Sequence, residues 1–173
     1  MSRRLRATAV AIVTVGGIAA AVLGYHAHVL RQARMLRLSD GTEAFFRGDT
    51  DVVPDASYPR PREIKVDGEV FLRVPASETP LVIRTRLFTL TVTGESALRV
   101  IGYAKQAGEQ VEVLKGHVQA AKSYSSPYST PDELERGDMS MVNREIDLME
   151  KEKANTAELQ AWSEALMSEV VAR

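Results

Sequence analysis

The 173-residue chain contains no cysteine, which excludes disulfide stapling, thiol nucleophiles and thiolate metal sites. Whatever folds here is held by packing alone. The compartment stays open on this count, since an exported protein can do without cysteine. Acidic residues are missing from the N-terminal part: none occurs before Asp40, so Arg3, Arg4, Arg6, Arg31, Arg34 and Arg37 stand uncompensated. The rest of the chain carries 16 of the 22 basic side chains against all 23 acidic ones. That balance excludes a nucleic-acid binder, because phosphate contacts need Lys and Arg clustered on the domain itself. Histidines number three and tryptophan only one. The pattern holds no Ser, His and Asp arrangement, Gly-rich phosphate loop or metal-ligand spacing. Neither an enzyme nor a cofactor or metal site is expected.

What the chain does have is a long apolar run. Residues 7–25, ATAVAIVTVGGIAAAVLGY, carry no charge, and such a helix spans roughly 28 Å, about the thickness of a hydrocarbon core. The spacing predicts a single transmembrane helix. Arg3, Arg4 and Arg6 ahead of it favour a cytoplasmic N-terminus, a bias reduced by Arg31, Arg34 and Arg37 behind it. A cleaved signal peptide is the alternative, with Ala19, Ala20 and Ala21 as small residues, but the run exceeds the apolar core of roughly 7 to 15 residues usual in such signals. Gly17, Ala21 and Gly24 lie along one side of the span, where small residues permit close helix approach but are also common by chance. The basic collar suits a topology determinant or anionic headgroups.

From Leu38 onward the apolar period drops to two, with turn signals roughly every 8 to 12 residues, the pattern of short strands in a sandwich, barrel or solenoid. Asp40-Gly41 and Asp67-Gly68 are the sharpest hairpin signals, since Asp-Gly tolerates the positive φ of a type I′ turn. Phe88, Leu90 and Val92 alternate with Thr89, Thr91 and Thr93, and Gly94 ends that strand. Further strands are expected over 98–105, 110–114 and 117–121, separated by Ala107-Gly108 and Lys115-Gly116. Residues 123–131, SYSSPYSTP, form the long loop and a contact surface. After Gly137, alternation resumes through Met139, Met141, Ile146 and Leu148. Glu133, Glu135 and Asp138 read as a solvated run. At the C-terminus Asn155 and Glu158 make a capping box ahead of Leu159, Trp162, Leu166 and Val170 at helical spacing, which predicts an amphipathic helix.

Candidate sites follow from this pattern. Gly41, Gly68, Gly94, Gly116 and Gly137 are the structural turns. Trp162 is either core or an anchor for a partner. His26 and His28 follow a helix, where positions i and i+2 diverge, so they read as interfacial and not as ligands; His117 reads as a surface imidazole beside a turn.

In order, these signals resemble the periplasmic domain of the FecR family of transmembrane regulators. Leu38-Ser39-Asp40-Gly41-Thr42 is similar to the opening L-x-D-G-S/T hairpin, Gly68-Glu69-Val70-Phe71-Leu72-Arg73-Val74 to G-E-A-F-F-x-V, and Pro80-Leu81-Val82-Ile83 to P-F-x-V. Val92-Thr93-Gly94 resembles V-x-G-T, Lys115-Gly116-His117-Val118 resembles E-G-x-V, Leu134-Glu135-Arg136-Gly137-Asp138 resembles L-x-P-G-E, and Ala161-Trp162 the closing A-W. Glu95-Ser96-Ala97-Leu98 departs from the pattern by lacking the family's aromatic.

The resemblance implies a mainly β protein of the bacterial inner membrane. A cytoplasmic tail (1–6), one transmembrane helix (7–25) and a basic juxtamembrane segment (26–37) precede an antiparallel β-sandwich or solenoid-like domain of short strands (38–153), closed by a short C-terminal helix (154–173). The bulk of the chain is then periplasmic. It further implies modulation of an extracytoplasmic-function sigma factor pathway linked to iron uptake, exerted through a protein partner such as an anti-sigma or sigma protein or an outer-membrane receptor. The cytoplasmic sigma-binding domain and the second periplasmic subdomain of the family are not found in these 173 residues, which makes a scaffolding ectodomain without the sigma pathway the alternative.

Overall fold

A computed structural model describes residues 32–172. The expected tail, span and most of the basic collar, with His26 and His28, lie outside the described residues. From Ala33 onward the chain forms one compact unit, built on a ten-stranded sheet: β1 (Arg34–Arg37), β2 (Glu43–Phe46), β3 (Asp51–Pro54), β4 (Glu63–Val74), β5 (Leu81–Arg84), β6 (Phe88–Gly102), β7 (Gly108–Lys122), β8 (Asp132–Glu135), β9 (Asp138–Asn143) and β10 (Leu148–Lys153). One helix, α1 (Thr156–Val171), follows. Among the described residues, no helix is long and apolar enough to cross a membrane. The mainly β fold with a C-terminal helix is as expected. Pairing starts at Arg34, four residues ahead of Leu38, because Arg34–Arg37 lies antiparallel to Glu43–Phe46 across the Asp40-Gly41 turn.

The long strands organise everything. In β4, Ile64, Val66, Val70, Leu72 and Val74 are buried on one face by the period-two alternation. Its first half pairs with β3 and, in parallel, with β5. Its second half pairs with β2 and β6. β6 and β7 exchange partners in the same way: their outer halves border β5 and β8, their inner halves β4 and β9. Side chains from both halves, among them Ile64, Leu72, Leu81, Leu98, Val111 and Leu134, fall in one buried cluster. A single sheet therefore folds over its own core, with three strands running through the bend, instead of two separate sheets facing each other.

Three expected chain reversals are corrected here. Gly68, Gly94 and Gly116 lie inside β4, β6 and β7, so Asp67-Gly68 closes no hairpin, Gly94 ends no strand, and Lys115-Gly116 separates none. They mark the bends of the long strands. Opposite them the β6–β7 register shifts between Thr93 and Leu98, as at a β-bulge. Gly68 has φ +127°, and a Cβ there would sit 2.7 Å from the Thr50 Cα. At Gly116, with φ +93°, it would meet the Glu95 carbonyl at 2.6 Å. Positive φ is common to a tight turn and a bulge, which is why the sequence pattern alone does not separate the two. Gly41 and Gly137 do sit in the β1–β2 and β8–β9 connections.

α1 covers the opposite face of the inner half. Asn155 caps it, its side-chain oxygen accepting from the Glu158 amide at 3.3 Å. Leu166 packs with Ala33, Phe45 and Phe71 in a second cluster, flanked by Trp162, Met167 and Val170.

Candidate interaction surface

The sole tryptophan lies at the seam between helix and sheet. Trp162 projects from α1 onto β4 and β6, edge-to-face with Phe71 at 6.2 Å and 79°. The Arg99 guanidinium lies 4.3 Å above its ring. Arg99 is itself oriented by two carboxylates: its Nε donates to Glu69 at 2.7 Å, and a terminal nitrogen donates to Glu112 at 3.2 Å. The stacked cation and the aromatic pair each favour this docking. Trp162 is half-buried, so the structure gives it packing contacts within the domain. Beside it runs a groove of about 420 Å³ floored by Phe71, Leu114 and Met167, with Arg73, Lys115 and Arg136 at its rim. Arg99 is the residue that periodicity missed. It alternates with Leu98 and Val100 like any outward residue, and nothing local shows that a helix 60 positions later lies over it.

Buried charge fastens two of the connections. Asp40 in the β1–β2 turn accepts from the Thr42 amide at 2.9 Å and from Arg62 Nε at 2.9 Å. Arg62 also donates to the Thr79 carbonyl, and its side chain is 5% exposed. Burial opposes the Asp40 charge, but the neighbouring Tyr58, Thr42 and Arg62 outweigh it and hold the carboxyl below its ordinary value. Burial, together with Asp40, pushes the Tyr58 phenol up to about 12.

Asp138 corrects the expected solvated run. It opens β9, is 3% exposed, and lies against Lys151 at 2.8 Å and Lys153. Burial again opposes its charge, and the two lysines with the Glu135 amide depress its pKa well below the carboxylate range. Glu133 and Glu135 of that run lie on a strand, β8. The lysines arrive from β10, across a hairpin, so their contribution has no signature near Asp138 in the sequence.

Residues 123–131 are a loop, and it is pinned. Lys122, its side chain 1% exposed, donates to the Asp147 carboxylate and carbonyl, each at 2.8 Å, and to Ser126 at 3.1 Å. Tyr124 and Ser126 donate to the same carboxylate. These donors lower the Asp147 pKa, Lys122 first. Tyr128 at the tip stays 77% exposed. His117 stands on β7 and meets Glu133 at 2.9 Å across the β7–β8 pair. Among the described residues no group of three or more His, Asp or Glu is placed to hold a metal ion. What the geometry offers is contact surface: open strand edges, grooves and a pinned loop.

A mainly antiparallel sheet folded over its own core, carrying a terminal helix on its outer face, defines the fold class. The sequence profile of the FecR protein family matches residues 30–119, from β1 through most of β7, and the chain belongs to the FecR family. The similarities at 134–138 and 161–162 lie beyond that segment. No curated protein matches the chain. Two crystal structures of a candidate anti-sigma factor from Parabacteroides distasonis ATCC 8503 share the fold, with TM-scores of 0.66 and 0.63 and 22% identity in each case. Each alignment covers 76% of this chain and 60% of the other, so this chain spans about three-fifths of the length of those proteins.

Proposed function

We propose that the chain is a membrane-anchored periplasmic regulator that modulates an extracytoplasmic-function sigma factor pathway through a protein partner. The observation that carries this reading is the FecR family match across the sheet. In the proposal residues 7–25 span the inner membrane, the N-terminus is cytoplasmic, and the domain from Leu38 onward acts in the periplasm. Gly41, Gly68, Gly94, Gly116 and Gly137 shape that domain, and Trp162 serves as the packing anchor of its helix. The similarity to a candidate anti-sigma factor supports the same direction, and the link to iron uptake is part of the proposal.

Regulation by contact needs a partner that can be caught. Crosslinking in intact cells producing the full chain, followed by affinity purification, is expected to recover a sigma or anti-sigma protein or an outer-membrane receptor. Recovery of none of these, under conditions that capture a known membrane complex, would remove the basis of the reading.

A further inference from the structure

The folded sheet has two open ends of opposite character. Among the described residues β1 pairs only with β2, and β10 only with β9. The path between them, β1–β2–β4–β6–β7–β9–β10, consists of antiparallel steps throughout. Their number is even, so the two end strands run in the same direction. One row of register partners crosses the whole path: Met35, Phe45, Phe71, Arg99, Glu112, Met139 and Glu152. Because side chains alternate, Met35 and Arg37 share a face with Leu148, Glu150 and Glu152.

A copy of the chain moved sideways along its own sheet would therefore present β1 to β10 in parallel, with the two faces matched. The chemistry matches as well. Slid along the edge by four residues from that row, so that residues 35–37 lie beside 148–150, Met35 meets Leu148, Leu36 meets Met149, and Arg37 meets Glu150. Met35 and Leu148 are each 45% exposed, unusual for apolar residues on strand edges that proteins normally guard. Next to Leu148 opens a groove of about 340 Å³, lined by Ile101, Met141 and Ile146, with room for a methionine side chain. Arg37 is 68% exposed and shares Glu43 with Arg73, and Glu150 has no ion-pair partner among the described residues. Paired with itself antiparallel and with the faces matched, β10 sets Glu150 against Glu150 or Glu152, which disfavours that like-edge contact.

We infer that the chain assembles head to tail, β1 of one copy adding in parallel to β10 of the next and seating Met35 against Leu148. Such a contact joins two different patches, so it propagates instead of closing at a dimer. Such an overlap of short edge strands is small, and the association is weak in dilute solution. The inference rests on the two edges and not on the regulatory reading.

The absence of native cysteine makes the test specific. In membranes from cells producing the full chain, Met35→Cys and Leu148→Cys together should give, on mild oxidation, a ladder of dimers, trimers and larger species. A mixture of the two single variants should give dimers only, and each single variant alone none, since neighbouring strands lie within disulfide reach only across the unlike edges. Adding Arg37→Glu to the double-cysteine chain should suppress the ladder, and adding Glu150→Arg as well should restore it. A dimer from Met35→Cys alone would overturn the inference in favour of like-edge pairing. Monomers throughout would overturn it outright, as would a ladder indifferent to the charge changes.

Discussion

At the scale of single residues, the glycines that look alike in the sequence divide by what surrounds them. Gly68, Gly94 and Gly116 all have positive φ, but only Gly68 and Gly116 leave no room for a Cβ; at Gly94 nothing lies within 4 Å. Gly94→Ala should cost about 1 kcal/mol for its left-handed backbone. Gly68→Ala and Gly116→Ala should cost roughly 2–4 kcal/mol, since the strand must shift as well. Denaturant melts of the three variants check that order; equal losses at all three would contradict the bends. Glu109 adds a pH signature. It is 4% exposed, accepts from Thr85 and from the Leu87 amide at 3.0 Å through one oxygen, and leaves the other unpartnered. Burial raises its pKa above the ordinary 4.5, and the donors do not offset it. Its contribution is therefore full below pH 4.5 and is lost as the pH rises through the raised folded value. Glu109→Gln should flatten that decline and match the parent or exceed it at pH 7. A variant that keeps the full pH slope would contradict the assignment.

At the scale of elements, much of the domain can be read from the chain. The threonine alternation of β6, the Asp40-Gly41 hairpin and the Asn155 cap follow local rules, and local rules suffice for them. The bends were not legible, because glycine signals only that positive φ is needed. A reversal and a bulge differ in which strand lies alongside, and the register partners of β4 lie as far away in sequence as Gly102 opposite Gly68. Arg99 under Trp162, Lys122 on Asp147 and Asp138 between two lysines are long-range in the same sense. Each reads in sequence as an ordinary surface charge. α1 offers a test of how such contacts couple. As the sole tryptophan, Trp162 reports helix docking by its fluorescence, while far-UV circular dichroism reports the sheet. The two melts should coincide, and Trp162→Ala should cost about 2 kcal/mol, reduced from full burial because the ring is half-exposed. A fluorescence transition well ahead of the sheet would show a helix that is not part of the cooperative unit.

For the whole molecule, the sheet, its bends and its helix make one compact unit whose open features are edges and grooves, in a chain that belongs to the FecR family. The central claim is that the chain modulates transcription through a partner. The most direct measurement is genome-wide transcription in a strain deleted for this chain, with and without its restoration, under iron-replete and iron-limited growth. The account predicts a shift confined to genes under one extracytoplasmic-function sigma factor, reversed by the parent chain. Unchanged transcription of every such gene set in both conditions would contradict it and leave a scaffolding role in its place.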